Sequence, residues 1–507
     1  MGRNRSDSLA SLVNNIFNGD SSKYVEAANN FFISVAKDIH PLNLDKIREL
    51  NVDSTVPEKF LPSQSQVKSL MDKLKINKAI GPDTIPNWIL CDCSNILAGP
   101  ITSIVCASMR EGKWPKEWKS ADVITLGKST NPSTIENDLR PIGLTCVISK
   151  AVCENIMVNI LWSFIKDKID KNQFGVIKGG STVNAMVKLV DDLLYAADKG
   201  LCSRILMVDF SKAFERIDHS LLLRKLLDMD VPIWLCKWIA GFLCERYQRV
   251  KYKGVFSSWK EIGAGVPQGT KFGPVGFIVL VNDMMADLKF VDDSSLIEIL
   301  HDPVNGDLVT RADKLTSWAS INKMKLNPLK TTEIRICFKK TQPSWDSIVL
   351  EGQEIVPVRS AKLLGFTIND QCNWKDHVDV NMIKKVNKRL FFLRAMIRAG
   401  FCKTDIIAFY VASVRSVLEY GSPLWHYSIS QELNTKIENI QRRVIKMIEG
   451  IPHSNHWYDY EGILRNFKLK TLKERRIDLC REYIIKIASD MEHPLHNRLK
   501  KKKTSTE

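Results

Sequence analysis

Four successive apolar residues, Ile205 to Val208 in "SRILMVDFSKAFERIDHSLLLRKLL", read as a buried strand that gives way at Asp209 to a turn and then to leucines at helical spacing. Asp209 is thereby placed at a strand end. Upstream, "SQSQVKSLMDKLKINKAIGPDTIP" predicts a short amphipathic helix ending in a Gly-Pro turn at Gly81 and Pro82. Downstream, "GVPQGTKFGPVGFIVLVNDMM" carries two glycine turns, with Pro274 in the first turn of a helix. Strands and helices alternate to about residue 370. From "NWKDHVDVNMIKKVNKRLFFLRAMI" onward the pattern is helical, basic and aromatic, and it closes on the run Lys500 to Lys503. The first sixty residues read as polar and weakly helical, and neither a repeat nor a long low-complexity linker interrupts the chain.

The same patterning separates two copies of Val-Asp-Asp. Around Val190 to Asp192, the residues Met186, Leu189, Val190, Leu193, Leu194 and Ala197 keep helical spacing, which puts Asp191 and Asp192 on a solvated face. Around Asp292 and Asp293, "LKFV" and "SSLIEIL" read as short strands, so these acids fall at the tip of a hairpin. Aspartate also suits turns for its own hydrogen bonding, and a plain surface turn is the competing reading. Adjacent like charges resist desolvation unless a cation lies between them. If the strand ending at Asp209 neighbours this hairpin, three carboxylates meet at one sheet edge, a set able to hold two divalent cations. Mg²⁺ suits it, as a hard ion that takes a few carboxylates together with substrate phosphates.

Composition narrows the partner. At 507 residues the chain calls for several subdomains. Its 73 Lys and Arg against 57 Asp and Glu leave a formal charge of +16, which favours a polyanion, either nucleic acid or an anionic membrane. No apolar run approaches the roughly 18 to 20 residues of a membrane span. The first twenty residues lack the apolar core of a signal peptide, so an intracellular, soluble protein is expected. Met1-Gly2 with Ser6 fits a myristoylation pattern too short to build on. The 12 cysteines are scattered without a C-x-x-C, which predicts reduced, mostly packed thiols. His493 and His496 follow Cys480, but one cysteine does not complete a structural zinc site, and exposed C-terminal histidines are expected.

The ordered set "KAIGPDTIP", "LRPIGLT", "QFGVIKGGSTVNAM", "VDFSKAFERIDH", "GVPQGTKFGP", "FVDD", "LNPLKTTEIRI" and "AKLLGFTINDQCNWKDHV" resembles the reverse transcriptase domain of non-LTR (LINE-type, jockey-like) retrotransposons, over roughly residues 60 to 385. "VRSVLEYGSPLWH" and "IENIQRRVIKMI" resemble the region that follows in those elements. The resemblance implies an α+β, right-hand polymerase fold with fingers, a palm of antiparallel sheet plus helices, and a helical thumb. It implies a polar helical segment over 1–60, fingers over 61–190, a palm over 191–340, a connection over 341–385 and a basic, thumb-like region over 386–507. Asp209, Asp292 and Asp293 would be the catalytic, metal-binding carboxylates, with two Mg²⁺ ions or Mn²⁺ as a substitute. Phe214, five residues after Asp209, would stand against the sugar and exclude a ribose 2′-hydroxyl. Gln268 would touch the incoming nucleotide or template, with Phe210 and Gly269 in the same nucleotide-binding set. Lys128 and Arg140 would hold the triphosphate, Arg140 by a bidentate grip. Lys330 is placed like the lysine that protonates the leaving pyrophosphate. The implied partners are an RNA template, a DNA primer or target DNA, and deoxynucleotides, without a membrane. The family's integration at chromosomal DNA implies action in the nucleus, within an expected intracellular location that is nuclear, cytoplasmic or both.

Other readings of the same residues remain. Without the motif order, Phe214 is a core ring, "PQG" an ordinary turn, and Lys128 and Arg140 solvated loop charges. Most rings of the C-terminal helices, among Trp374, Phe391, Phe392, Tyr410, Tyr420 and Trp425, are expected in the core, leaving nucleic acid to the basic residues. Two departures stand out: Glu215 replaces the family's usual Asp, and the stretch from Asn282 to Phe290 is short. No segment reads as an endonuclease, so a polymerase-only frame or truncated copy is expected, with target nicking left to a separate endonuclease. The alternatives are an inactive nucleic-acid-binding relic and an unrelated Mg²⁺ nuclease, and the latter leaves the motif order unexplained.

Overall fold

The computed structural model describes residues 5–43, 55–129, 131–300, 306–452, 454–455 and 457–499. Met1, Gly2 and the lysine run 500–503 lie outside the described residues. The strands of the two larger sheets are, in chain order, β1 (Ser120–Gly127), β2 (Leu139–Thr145), β3 (Cys202–Val208), β4 (Arg246–Tyr252), β5 (Val255–Phe256), β6 (Lys260–Ile262), β7 (Leu288–Phe290), β8 (Asp293–Leu300) and β9 (Thr332–Ile336). They fall into two compact units, each assembled from separate stretches. The first comprises Met1–Asp170, Phe210–Met285 and Leu315–Leu326, and the second Lys171–Asp209, Ala286–Lys314 and Asn327–Glu507.

In the first unit the sheet runs β2-β1-β4-β5, with β6 also paired to β4. The N-terminal helices are more than polar appendages. Asp20 caps the helix Ser21–Ser34 by accepting from the backbone N–H groups of Ser22 and Lys23. This helix then lays Tyr24, Val25, Ala28 and Phe32 against Val123, Val250 and Tyr252 of the sheet. Each large side chain buried this way is worth roughly 1.5 to 3 kcal/mol. The apolar stripe at i, i+1, i+4 and i+8 was present in the sequence but diluted by the surrounding Asn and Ser. The helix expected before Gly81 ends earlier, at Asp72. Gly81 lies instead against the β2 backbone, where a Cβ would come within 2.6 Å of the Thr145 carbonyl oxygen. "KAIGPDTIP" therefore braces "LRPIGLT". The helix Phe272–Leu280 forms with Pro274 in its first turn, as expected.

In the second unit the sheet runs β7-β8-β3-β9, antiparallel throughout. Central β3 is buried at every position, which explains why its last four residues read as an unbroken apolar run. Ile205 and Met207 face a core shared with Leu189 and Leu193 of the helix Thr182–Asp198. Arg204 is also buried, and its Nε donates to Glu333 Oε1 at 2.8 Å, so the charge that interrupts the strand is neutralised where it sits. Beyond the sheet the chain is helical, with long elements at Lys384–Arg398, Gln431–Glu449 and Leu472–Ser489.

Three expectations need correction here. Cys202 and Cys337 form a disulfide, because Ser203 pairs with Ile336 and the flanking cysteines are thereby brought to a Cα separation of 4.5 Å. The other cysteines are free thiols, as expected. His493 and His496 are buried rather than exposed: His493 Nε2 lies 3.1 Å from Asn184 Nδ2, and His496 Nδ1 donates to the Ile487 carbonyl at 2.9 Å. Of the C-terminal rings, Trp374, Tyr410 and Trp425 are core, whereas Phe391, Phe392 and Tyr420 are exposed. The helix Lys384–Arg398 buries Val386, Leu390 and Leu393 on one face and so turns its two phenylalanines outward. Among the described residues, no helix is long and apolar enough to cross a membrane.

Candidate active site

Strand pairing decides the first test of the aspartates. β3 and β8 are antiparallel with Val208 opposite Ser294, so Asp209 and Asp293 follow the last ladder pair at the same end of the sheet. β7 and β8 form the expected hairpin, with Phe290 opposite Asp293 and only Val291 and Asp292 at the tip. The Asp293 carboxyl is pushed up to about 6, first by lost hydration where the protein crowds it, then by the charges of Asp292 and Asp209. All three carboxylates therefore share one field at one sheet edge.

Asp209 is held from the far side of the sheet. Its backbone N–H donates to Thr331 Oγ1 at 3.2 Å, its carbonyl accepts from the Asn327 N–H at 2.9 Å, and its Oδ2 accepts from Asn327 Nδ2 at 3.1 Å. Lys330, mostly exposed, brings its ammonium within 3.8 Å of the same Oδ2. "LNPLKTTE" thus surrounds Asp209 as well as supplying Lys330, and nothing in its local pattern announced Asn327 or Thr331 as supports. They arrive because β9 pairs with β3.

The hairpin tip is unusual in its own backbone. Val291 has φ +59°, a left-handed conformation that is uncommon for any side chain and an outlier for a β-branched one. Its N–H donates to the Oε1 of buried Gln173 at 3.1 Å. The site thus draws on "QFGVIKGG", a motif whose residues carried no assigned role.

Among the described residues, no group of three or more His, Cys, Asp or Glu side chains stands in a ready-made metal-binding arrangement. The donor set nevertheless fits a hard divalent cation. It consists of carboxylate oxygens, and Asp293 is raised by lost hydration and, after that, by the charges of Asp292 and Asp209, which a cation would offset.

The first unit carries the other singled-out residues. Phe210 is buried, edge-on to Trp318 at 6.3 Å, and Phe214 is half-buried against Phe277 at 5.1 Å. Gln268 Nε2 donates to Glu215 Oε1 at 2.9 Å, so the longer acid at this position has a specific partner. Burial raises the Glu215 carboxyl, while the charges of Lys212, Lys128 and Arg140 oppose the shift. Lys128 and Arg140 are therefore near enough to act on the same carboxylate, although about 75 or more residues separate them from it in the chain. Lys128 also donates to the Asn137 carbonyl at 2.7 Å. Arg140 is exposed on β2. The glycines of "GVPQG" are required by the protein itself. Gly265 and Gly269 have φ +77° and +106°, and a Cβ on Gly265 would meet the Glu215 carbonyl oxygen at 2.6 Å. The loop is tied to "LRPIGLT" by the Gly143 N–H donating to the Gln268 carbonyl at 2.9 Å.

Residues 128–368 match the family described as reverse transcriptase (RNA-dependent DNA polymerase). The chain is 25% identical over 437 residues to the probable RNA-directed DNA polymerase from transposon BS of Drosophila melanogaster, a match covering 81% of this chain and 47% of that protein. It is 26% identical over 445 residues to the RNA-directed DNA polymerase from mobile element jockey of the same species, covering 83% and 47%. Apo telomerase from Candida Tropicalis aligns with a TM-score of 0.41 at 12% identity, over 92% of this chain and 91% of that one. The chain spans about half the length of the curated relatives it matches. Every site residue described above lies within the stretch that matches the reverse transcriptase family, and the relatives that the chain resembles over most of its length are RNA-directed DNA polymerases of mobile elements.

Proposed function

We propose that this chain is an RNA-directed DNA polymerase that joins deoxynucleotides to a primer 3′-hydroxyl with release of pyrophosphate. The observation that carries the reading is the shared field of Asp209, Asp292 and Asp293 at one end of the β7-β8-β3-β9 sheet. These three side chains would hold divalent cations, Mg²⁺ by the hardness of the donors and Mn²⁺ as a substitute. Bound there, such ions favour ionisation of the primer hydroxyl and neutralise charge on the phosphates. The remaining work is positioning, so no covalent nucleophile is needed.

The protein's own groups divide that work. Asn327 and Thr331 fix the Asp209 backbone and carboxylate, so its oxygens need no reorientation on binding. Lys330, whose ammonium lies 3.8 Å from Asp209 Oδ2, would give a proton to the leaving pyrophosphate. In the first unit, Arg140 and Lys128 would take the triphosphate. Phe214 would flank the sugar, and the loop of Gln268 and Gly269 would lie along the nucleotide or template, with Phe210 in the same nucleotide-binding set. The partners would be an RNA template and a DNA primer or target DNA, with strand nicking left to a separate endonuclease.

The test is Mg²⁺-dependent incorporation of dTTP by purified protein on poly(rA) primed with oligo(dT), beside Asp292→Ala/Asp293→Ala. Extension by the native chain alone is the expected result. If both proteins bind the primer–template and neither extends it, the polymerase reading is lost and the chain is a nucleic-acid-binding relic.

A further inference from the structure

We infer that Gln173 is a positioning residue for the catalytic hairpin, holding Val291 in its left-handed conformation so that Asp292 and Asp293 are presented together; this rests on the polymerase reading above. Four observations within the second unit support it. Residues 172–174 run beside β7 as an extra rung: the Lys289 N–H donates to the Asn172 carbonyl, and the Phe174 N–H to the Lys289 carbonyl, each at 2.8 Å. Gln173 is fully buried in the middle of this rung, and its Oε1 accepts from both Gly175 N–H, at 2.8 Å, and Val291 N–H, at 3.1 Å. Its Nε2 meets no acceptor among the described residues, so the side-chain hydrogen bonds that hold this amide are those made by its oxygen. Gly175 completes the fit, because a Cβ there would stand 2.7 Å from Val291 Cγ2 and 2.9 Å from its nitrogen.

The logic is local. Valine does not rest at φ +59° unaided, and a tip free to relax would swing the two carboxylates that follow it. One buried oxygen receiving two N–H groups fixes the tip to the neighbouring segment and removes that freedom. Such a brace acts through Asp292 and Asp293 and touches no substrate. Its loss should therefore lower the chemical step without weakening substrate capture.

The experiment uses Gln173→Met, which keeps length but has no amide oxygen, with Gln173→Asn, one methylene short, as a milder second variant. In folded protein, kcat per active site is expected to fall roughly 10- to 100-fold, with the KM for dTTP changed by less than about twofold. Hydrogen exchange at the Val291 and Gly175 amides is expected to quicken. Glycine takes positive φ without help, so in a Val291→Gly background the same Gln173 change should lower kcat by no more than about threefold. A Gln173 that merely stabilised the fold would lower the melting temperature and leave this coupling at zero. The inference is overturned if either folded variant keeps its kcat, or if the loss is undiminished in the Val291→Gly background. If the native chain incorporates nothing, the polymerase reading falls by itself, and amide exchange at Val291 still decides whether Gln173 braces the tip.

Discussion

Val-Asp-Asp occurs twice in the second unit, and the two copies show what a tripeptide owes to its surroundings. At Val190 to Asp192 it lies within the helix Thr182–Asp198, where Arg498 Nη1 reaches Asp191 Oδ2 at 2.7 Å and Asp192 Oδ1 at 2.8 Å, and Lys188 stands 3.6 Å from Asp192. At Val291 to Asp293 it turns a hairpin on a left-handed valine. There the field on Asp293 comes from further carboxylates, and the cation at 3.8 Å sits on Asp209. The first pair is neutralised by the protein, as expected of a surface. The second carries a carboxyl raised by lost hydration and by its neighbours' charges, on a tip held in place by Gln173, as the proposed site requires.

The widest gap should appear in catalysis. Asp292→Ala is expected to reduce incorporation on poly(rA)/oligo(dT) by at least about 10³-fold, since metal-held charge stabilisation is worth several kcal/mol. Asp191→Ala/Asp192→Ala should stay within about twofold of native, because partly exposed carboxylates on a helix face contribute little beyond local pairing. Equal losses in the two variants would erase the distinction. A smaller effect is expected from Arg140→Ala, which should raise the KM for deoxynucleotide roughly tenfold or more and leave folding intact, since charge-assisted contacts to phosphate are worth about 1.5 to 3 kcal/mol. Arg140→Lys should recover only part of that, and a KM that does not move would remove Arg140 from the triphosphate site.

This contrast was half legible in the sequence. Period and flanking residues sufficed to put Asp191 on a helix and Asp292 in a hairpin, because both patterns are local. β3 was legible for the same reason, its apolar run ending one residue before Asp209. The supports were not. Gln173 lies 118 positions from Val291 and Asn327 lies 118 from Asp209, and only sheet topology brings either pair together. Half-buried Glu215 was seen as a departure from a motif, but its bond to Gln268 joins residues 53 apart and leaves no periodic trace. Arg498, which neutralises the helical pair, comes from 306 residues away. Local pattern shows where a strand ends; it carries no record of what crosses to meet it.

The hairpin pair should also register in stability. Asp293 titrates at about 6 in the folded chain against an ordinary 3.8, so the folded state keeps its proton over that interval while the unfolded chain has released it. Stability contributed at this site is therefore greatest at low pH and declines as pH rises through the window. In chelator, Asp293→Asn should melt above the native protein at pH 7 and converge with it below about pH 4. Added Mg²⁺ should then raise the native melting temperature and leave that of Asp293→Asn nearly unchanged. If the two proteins melt together at every pH, the shared field does not govern Asp293.

The helical pair provides the smallest effect and the sharpest control. Arg498 is about one-third exposed and holds Asp191 and Asp192 from the C-terminal segment that also packs His493 on Asn184. Partly exposed ion pairs are worth about 0.2 to 1 kcal/mol, and a single guanidinium shared between two carboxylates belongs toward the upper end. Arg498→Ala should therefore lower stability by up to about 1 kcal/mol, with most of that difference abolished in high salt as screening removes the attraction. Incorporation per folded molecule should not change. A loss of activity at full stability would mean that the helical pair reaches the chemistry after all, and that neutralisation by Arg498 serves more than the surface on which it lies.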